Sequence, residues 1–229
     1  MRFQDAAPDA RAIVYAGIQA DPLVGRAATL LADATWEQRV LARAAMNGES
    51  TEPEPWRAMF PTLFAPDVDP VARDRSEAIL AASLEVADRG EQARSQFRGA
   101  IVESLTELLL RRRLTGSPAT TVRRERRVLF DGVRGEIHPY DVTVELPGAA
   151  LAADCKWGAR GISADVLHQL DDARTHAADE EERLDVALVI FDAGRSCEVR
   201  LDRQTAPRDG TRIVSLESLD DLASGRWPA

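Results

Sequence analysis

Apolar positions repeat in two different ways along this chain, and the change falls near residue 90. Before it the spacing is helical. Asp21-Pro22 opens a segment in which Leu23, Ala27, Leu30 and Leu31 share one face, and Thr35 is placed to cap a second helix through Val40, Leu41 and Met46. That helix should end near Asn47-Gly48. Glu49 to Pro55 is an acidic, proline-bearing break, and the prolines from Phe60 to Pro70 stand too close together for a long helix. A long helical pattern resumes at Val71, with Ile79, Leu80, Leu84 and Val86. Residues 1–90 are therefore expected to form an all-α N-terminal region, serving specificity or partner contacts.

After residue 91 the pattern shortens. One more helix is predicted from Ser95 to Leu114, closed by Thr115-Gly-Ser-Pro118. β-rich runs follow at Val122–Phe130, Ile137–Leu146 and Ala149–Trp157, then a polar helix from Ser163 to about Asp179 and a buried-looking strand at Val186–Phe191. Further strands are expected at Cys197–Leu201 and Thr211–Ser215, with a closing helix from Leu216 to Ala223. This succession predicts an α/β domain over residues 91–229, a mixed sheet flanked by helices.

Bulk properties narrow the class. At 229 residues, 45% hydrophobic and 29% charged, the chain reads as an ordinary globular protein. Its longest apolar run, Val186 to Phe191, is far too short to span a bilayer, and Met1-Arg-Phe-Gln-Asp lacks a signal-peptide pattern. Two cysteines make neither a disulfide framework nor a zinc-finger spacing, so a reduced, cytoplasmic protein with no membrane partner is expected. A net charge of −9 argues against a surface that is basic all over. Yet ten arginines face only four acids between Arg94 and Arg134. Arg123, Arg124, Arg126 and Arg127 suit the neutralisation of phosphates; an arginine-rich solvated strand edge is the plainer alternative.

The candidate chemistry lies in one hairpin. Asp141 to Lys156 turns at Pro147-Gly148, and pairing centred on that turn sets Asp141 across from Asp154. Alternation then gives Asp141, Thr143, Glu145, Asp154 and Lys156 one face, and leaves Val142, Val144, Leu151, Ala153, Cys155 and Trp157 on the core face. Two facing carboxylates are destabilising unless something positive lies between them. A divalent cation is the natural partner, and hard oxygen donors favour Mg2+ or Mn2+. Lys156 is the only lysine in the chain, beside 28 arginines. Its compact ammonium can position or deprotonate a water, whereas a guanidinium stays protonated.

At these residues the chain resembles the PD-(D/E)XK nuclease superfamily, which has the restriction-endonuclease-like fold. An aspartate on one strand is followed, across a turn, by Asp or Glu, any residue, and Lys; here these are Asp141, Asp154, Cys155 and Lys156. The proline of the motif is displaced, standing at Pro139 two residues before Asp141. The resemblance covers roughly residues 95–216. It implies a glutamate on the preceding helix, where Glu103 stands, facing either the catalytic edge or water, and a glutamine on the crossover helix, where Gln169 stands. It further implies the Cys155 carbonyl as a third metal ligand and Glu103 as a direct or water-mediated one.

The expected function is a magnesium-dependent endonuclease acting on DNA, in a bacterial restriction or anti-phage setting, as a homodimer or with a partner subunit supplying specificity. The alternative is a catalytically inactive nuclease-fold subunit that binds nucleic acid or serves assembly. Other chemistries find no support: His138, His168 and His176 lack zinc-site spacing, no glycine-rich phosphate loop is present, and Cys155 and Trp157 fall on the core face.

Overall fold

The structure is a computed structural model and describes residues 1–6, 10–115, 121–130, 133–134, 139–206 and 210–224. Its seven strands are β1 (Arg2–Asp5), β2 (Thr121–Phe130), β3 (Val133–Arg134), β4 (Tyr140–Leu146), β5 (Ala149–Lys156), β6 (Leu184–Ile190) and β7 (Thr211–Val214). They form one sheet in the order β1-β2-β4-β5-β6-β7, with β3 paired to β2. From β1 to β5 neighbours run antiparallel; β6 joins β5, and β7 joins β6, in parallel. The protein is thus of the α/β class with a mixed sheet. The helices are α1 (Ala10–Gln19), α2 (Pro22–Ala32), α3 (Trp36–Asn47), α4 (Pro53–Met59), α5 (Pro61–Phe64), α6 (Pro70–Ala87), α7 (Glu91–Arg113), α8 (Ala164–Asp179), α9 (Gly194–Leu201) and α10 (Asp221–Ser224). Among the described residues no helix is long and apolar enough to cross a membrane.

The chain divides into two compact units, Asp9–Leu105 and the combination of Met1–Pro8 with Thr106–Ala229. The helical unit follows its capping signals closely. Asp21 accepts from the Leu23 N–H at 2.8 Å with Pro22 at the first helical position, and Thr35 and Gln38 form a reciprocal capping box on α3. The acidic break holds over residues 49–52, but its last residues, from Pro53, open α4, and the Phe60–Pro70 stretch carries only the single-turn α5, with no long helix. Each begins on a proline, where the missing N–H costs nothing, and Trp56 and Leu63 pack with Leu41, Ala45 and Leu80.

Two expected boundaries move. The division does not fall at residue 90 but within α7, because Phe97, Ile101 and Leu105 are buried as part of the helical unit. Nor are residues 1–90 all helical. Arg2–Asp5 pairs with β2, matching Arg2 to Leu129 and Asp5 to Arg126, a partnership across more than a hundred residues that no local pattern announces.

In the sheet unit both faces are covered. Leu167, Leu170, Ala173 and Ala177 of α8 pack on Val128, Phe130, Tyr140, Ala150, Ala152, Val186, Leu188 and Ile190. On the opposite face Cys155 Sγ lies 3.5 Å from Thr106 Oγ1 of α7. Cys197–Leu201, expected as a strand, is helical (α9). A parallel β6–β7 pair needs a crossover, and Cys197 and Leu201, four apart, both turn to the core. The closing segment is helical only at Asp221–Ser224, although Leu216, Leu219 and Leu222 are all buried. The predicted stop at 116–118, the strand start at 137–138 and His138 lie outside the described residues.

Candidate active site

The β4–β5 hairpin adopts the expected register. Gly148 has φ +75°, the conformation a type II turn requires after Pro147 and one that glycine adopts without penalty. The ladder pairs Leu146 with Ala149, Val144 with Leu151 and Val142 with Ala153. The ladder ends there, and the Asp141 carboxylate takes over from it: its Oδ2 accepts the Cys155 N–H at 2.6 Å. On the other side β5 is held by β6, with Asp154 beside Leu188 and Lys156 beside Ile190. The functional side chains therefore stand on a strand supported from both flanks.

Lys156 Nζ lies 2.8 Å from the Asp154 carboxylate. The pair is largely withdrawn from solvent, with 14% of the Asp154 side chain and 29% of the Lys156 side chain exposed. Burial alone would lower the lysine pKa, but attraction to Asp154 and Asp141, with the hydrogen bond to Asp154, outweighs it and raises the pKa above the ordinary lysine value. The lysine is thus held as a cation beside the Asp154 carboxylate, and Asp141 adds to the attraction. Positive charge for the two aspartates is supplied by the chain itself.

The polar face is smaller than expected. Ala150 and Ala152, on the same side as Asp154, are 3% and 0% exposed, packed with α8. A central strand covered on both faces reads as a nearly continuous apolar run, so only the end of β5 carries polar groups outward. Cys155 turns its thiol to the α7 side and is buried, as expected for a packing residue. Trp157 likewise packs, its ring stacked on Phe191 at 4.9 Å between centroids.

Glu103 belongs to the helical unit and faces neither water nor an open edge. It is 4% exposed, and its carboxylate accepts from Tyr15 Oη and, at 2.7 Å, from Gln19 Nε2. α1 supplies both donors, and no helical spacing on α7 could have revealed that. Gln169 sits half-buried on α8, and its backbone carbonyl accepts from Tyr140 Oη at 3.3 Å, one residue before Asp141.

The four arginines of β2 do not form one open cationic patch, and β2 is not an edge, since β1 and β4 flank it. Arg124 pairs with Glu107. Arg126, only 7% exposed, pairs with Asp5 at 2.8 Å and Glu145 at 3.4 Å. Arg127 is half-buried, and Arg123 is the member that reaches solvent, at 55% exposure.

Two residues that the sequence did not single out shape the site. Asp192, after β6, accepts from the Ala159 N–H at 3.0 Å and from the Ala193 N–H at 2.8 Å, which ties down the loop following Lys156. Gly161 in that loop lies directly against the Lys156 stem. Neither stands in a recognisable motif.

Among the described residues no group of three or more His, Cys, Asp or Glu side chains is arranged to hold a metal. The donors present, two carboxylates on adjacent strands, fit a hard cation that keeps most of its positions for water and phosphate. No family model, curated protein or solved structure matches the chain.

Proposed function

We propose that this protein is a magnesium- or manganese-dependent nuclease that hydrolyses phosphodiester bonds in DNA, in a role such as restriction or anti-phage defence. The observation that carries the reading is the convergence of Asp141, Asp154 and Lys156 at one end of β5. The surrounding order supports it: a helix, three antiparallel strands, a crossover helix and a parallel strand, as in the nuclease superfamily that the motif resembles.

In this reading Asp141 and Asp154 hold the cation, which supplies Lewis acidity and a nucleophilic water when bound. Lys156 acts as a fixed positive charge. At 2.8 Å from Asp154, its ammonium is placed to orient the water and to stabilise charge developing on the phosphate. The Cys155 N–H fixes one rotamer of Asp141, and the Tyr140 hydroxyl, anchored on the Gln169 carbonyl, steadies the strand just before it. Glu103 is given no role in the chemistry, because its carboxylate is engaged by Tyr15 and Gln19.

The test is magnesium-dependent cleavage of plasmid and single-stranded DNA by the wild-type chain and by Asp154→Asn. The asparagine keeps the shape and a hydrogen bond to Lys156 but removes the charge that holds the ion. Cleavage should fall by about a hundredfold or more while the circular-dichroism spectrum is unchanged. Full activity in Asp154→Asn would sink the assignment. A wild-type chain that binds DNA without cutting it would instead favour an inactive binding subunit.

A further inference from the structure

We propose that Gly161 is a positioning residue for Lys156, its bare α-carbon leaving the space in which the lysine stem runs toward Asp154. The catalytic consequence rests on the nuclease reading; the packing does not. A β-carbon placed on Gly161 would stand 2.8 Å from Lys156 Cβ, 2.8 Å from Cγ and 2.9 Å from Cδ, well inside contact distance. Backbone freedom is not why a glycine is needed here. The described glycines with positive φ are Gly90, Gly148 and Gly210, and Gly161 is not among them. What the site requires is the absence of a side chain.

Neither backbone can retreat. β5 pairs with β6 at Lys156 itself, opposite Ile190, and the Lys156 carbonyl accepts from the Phe191 N–H at 2.9 Å. The loop is clamped separately. Asp192 accepts the Ala159 N–H at 3.0 Å, the Gly161 N–H donates to the Gly158 carbonyl at 2.9 Å, and Arg200 Nε donates to the Ile162 carbonyl at 2.9 Å. Ala159 and Ile162, on either side of Gly161, are buried in the core. The soft part of the contact is the lysine stem beyond Cβ. Any side chain at position 161 must push that stem out of its path and draw Nζ away from its 2.8 Å contact with Asp154.

The lone lysine makes this directly measurable. A chain grown on isotope-labelled lysine has one set of lysine resonances, with no assignment needed. In the wild type the stem methylenes should show Overhauser contacts to the Gly161 α-protons, and in Gly161→Ala the Cγ to Cε resonances should shift. Under single-turnover conditions Gly161→Ala should cut DNA about a hundredfold more slowly, with DNA affinity held within about twofold, the pattern of a misplaced catalytic group. Unchanged lysine resonances in a folded Gly161→Ala protein would overturn the proposal. If the wild type cuts no DNA, the nuclease reading fails, and the lysine spectrum still decides the placement. If Gly161→Ala does not fold, the pair Lys156→Gly with Gly161→Ala removes the clash. Recovery of the thermal midpoint of Lys156→Gly alone supports the contact, and failure to recover it overturns it.

Discussion

Lys156 is the only lysine in a chain of arginines, and its surroundings explain why an exchange to arginine would not be neutral. The stem passes Gly161 with no spare room, and the ammonium ends 2.8 Å from Asp154 while also feeling Asp141. A guanidinium is longer, planar and forked, so it cannot place a single donor where Nζ stands. Lys156→Arg should therefore bind DNA and magnesium almost normally yet cut about a hundredfold more slowly or worse. Single-turnover kinetics beside a separate binding measurement distinguish the two effects, and an arginine variant as fast as wild type would show that charge alone suffices. Asp141 is a different case. Its carboxylate replaces a strand carbonyl as acceptor for the Cys155 N–H, so Asp141→Ala leaves a polar group of a largely buried strand without its partner. It should lose about 1–3 kcal/mol of stability as well as activity, which chemical denaturation would detect.

At the scale of elements, the β4–β5 hairpin was legible because turn chemistry and alternation point to the same register: Pro147-Gly148 sets the centre and Val142, Val144, Leu151 and Ala153 set the face. What alternation could not give was the cover over the other face. Ala150 and Ala152 are small rather than polar, and only the docking of α8 makes them core. The same limit hid the fate of the β2 arginines. Four basic residues in five look like a phosphate-binding strip, but β1, β4 and the end of α7 bring Asp5, Glu145 and Glu107 to them. The cluster should consequently split on mutation. Arg123→Ala should weaken DNA binding and reduce its salt slope by about one, with little change in stability. Arg126→Ala should leave the slope alone and cost about 1 kcal/mol of stability, through lost packing and ion pairing. Equal effects of the two on the slope would mean that Arg126 swings out to meet the nucleic acid. The surroundings of Glu103 were hidden for a related reason: its donors Tyr15 and Gln19 lie more than eighty residues earlier in the chain.

For the molecule as a whole, the least local feature is β1. Four residues at the start of the chain complete a sheet whose other strands begin at Thr121. Phe3 packs against the cluster formed by Val128, Phe130 and the residues of α8, and Asp5 answers Arg126. Phe3→Ala should destabilise the sheet unit by about 2 kcal/mol, and amide exchange along β2 should accelerate before that along β6. If β2 exchange were unchanged, β1 would be dispensable to the sheet. β1 is also a guard. With Arg2, Gln4 and Asp5 it presents charged and polar side chains along an outer edge, whereas the strand behind it is ten residues long and carries Val122, Val128, Leu129 and Phe130. Were β1 to peel away, β2 would offer an open row of backbone donors and acceptors to any neighbouring copy. The characteristic failure of this protein under stress should then be intermolecular strand addition rather than simple unfolding, growing with concentration and suppressed by whatever keeps those first residues in place.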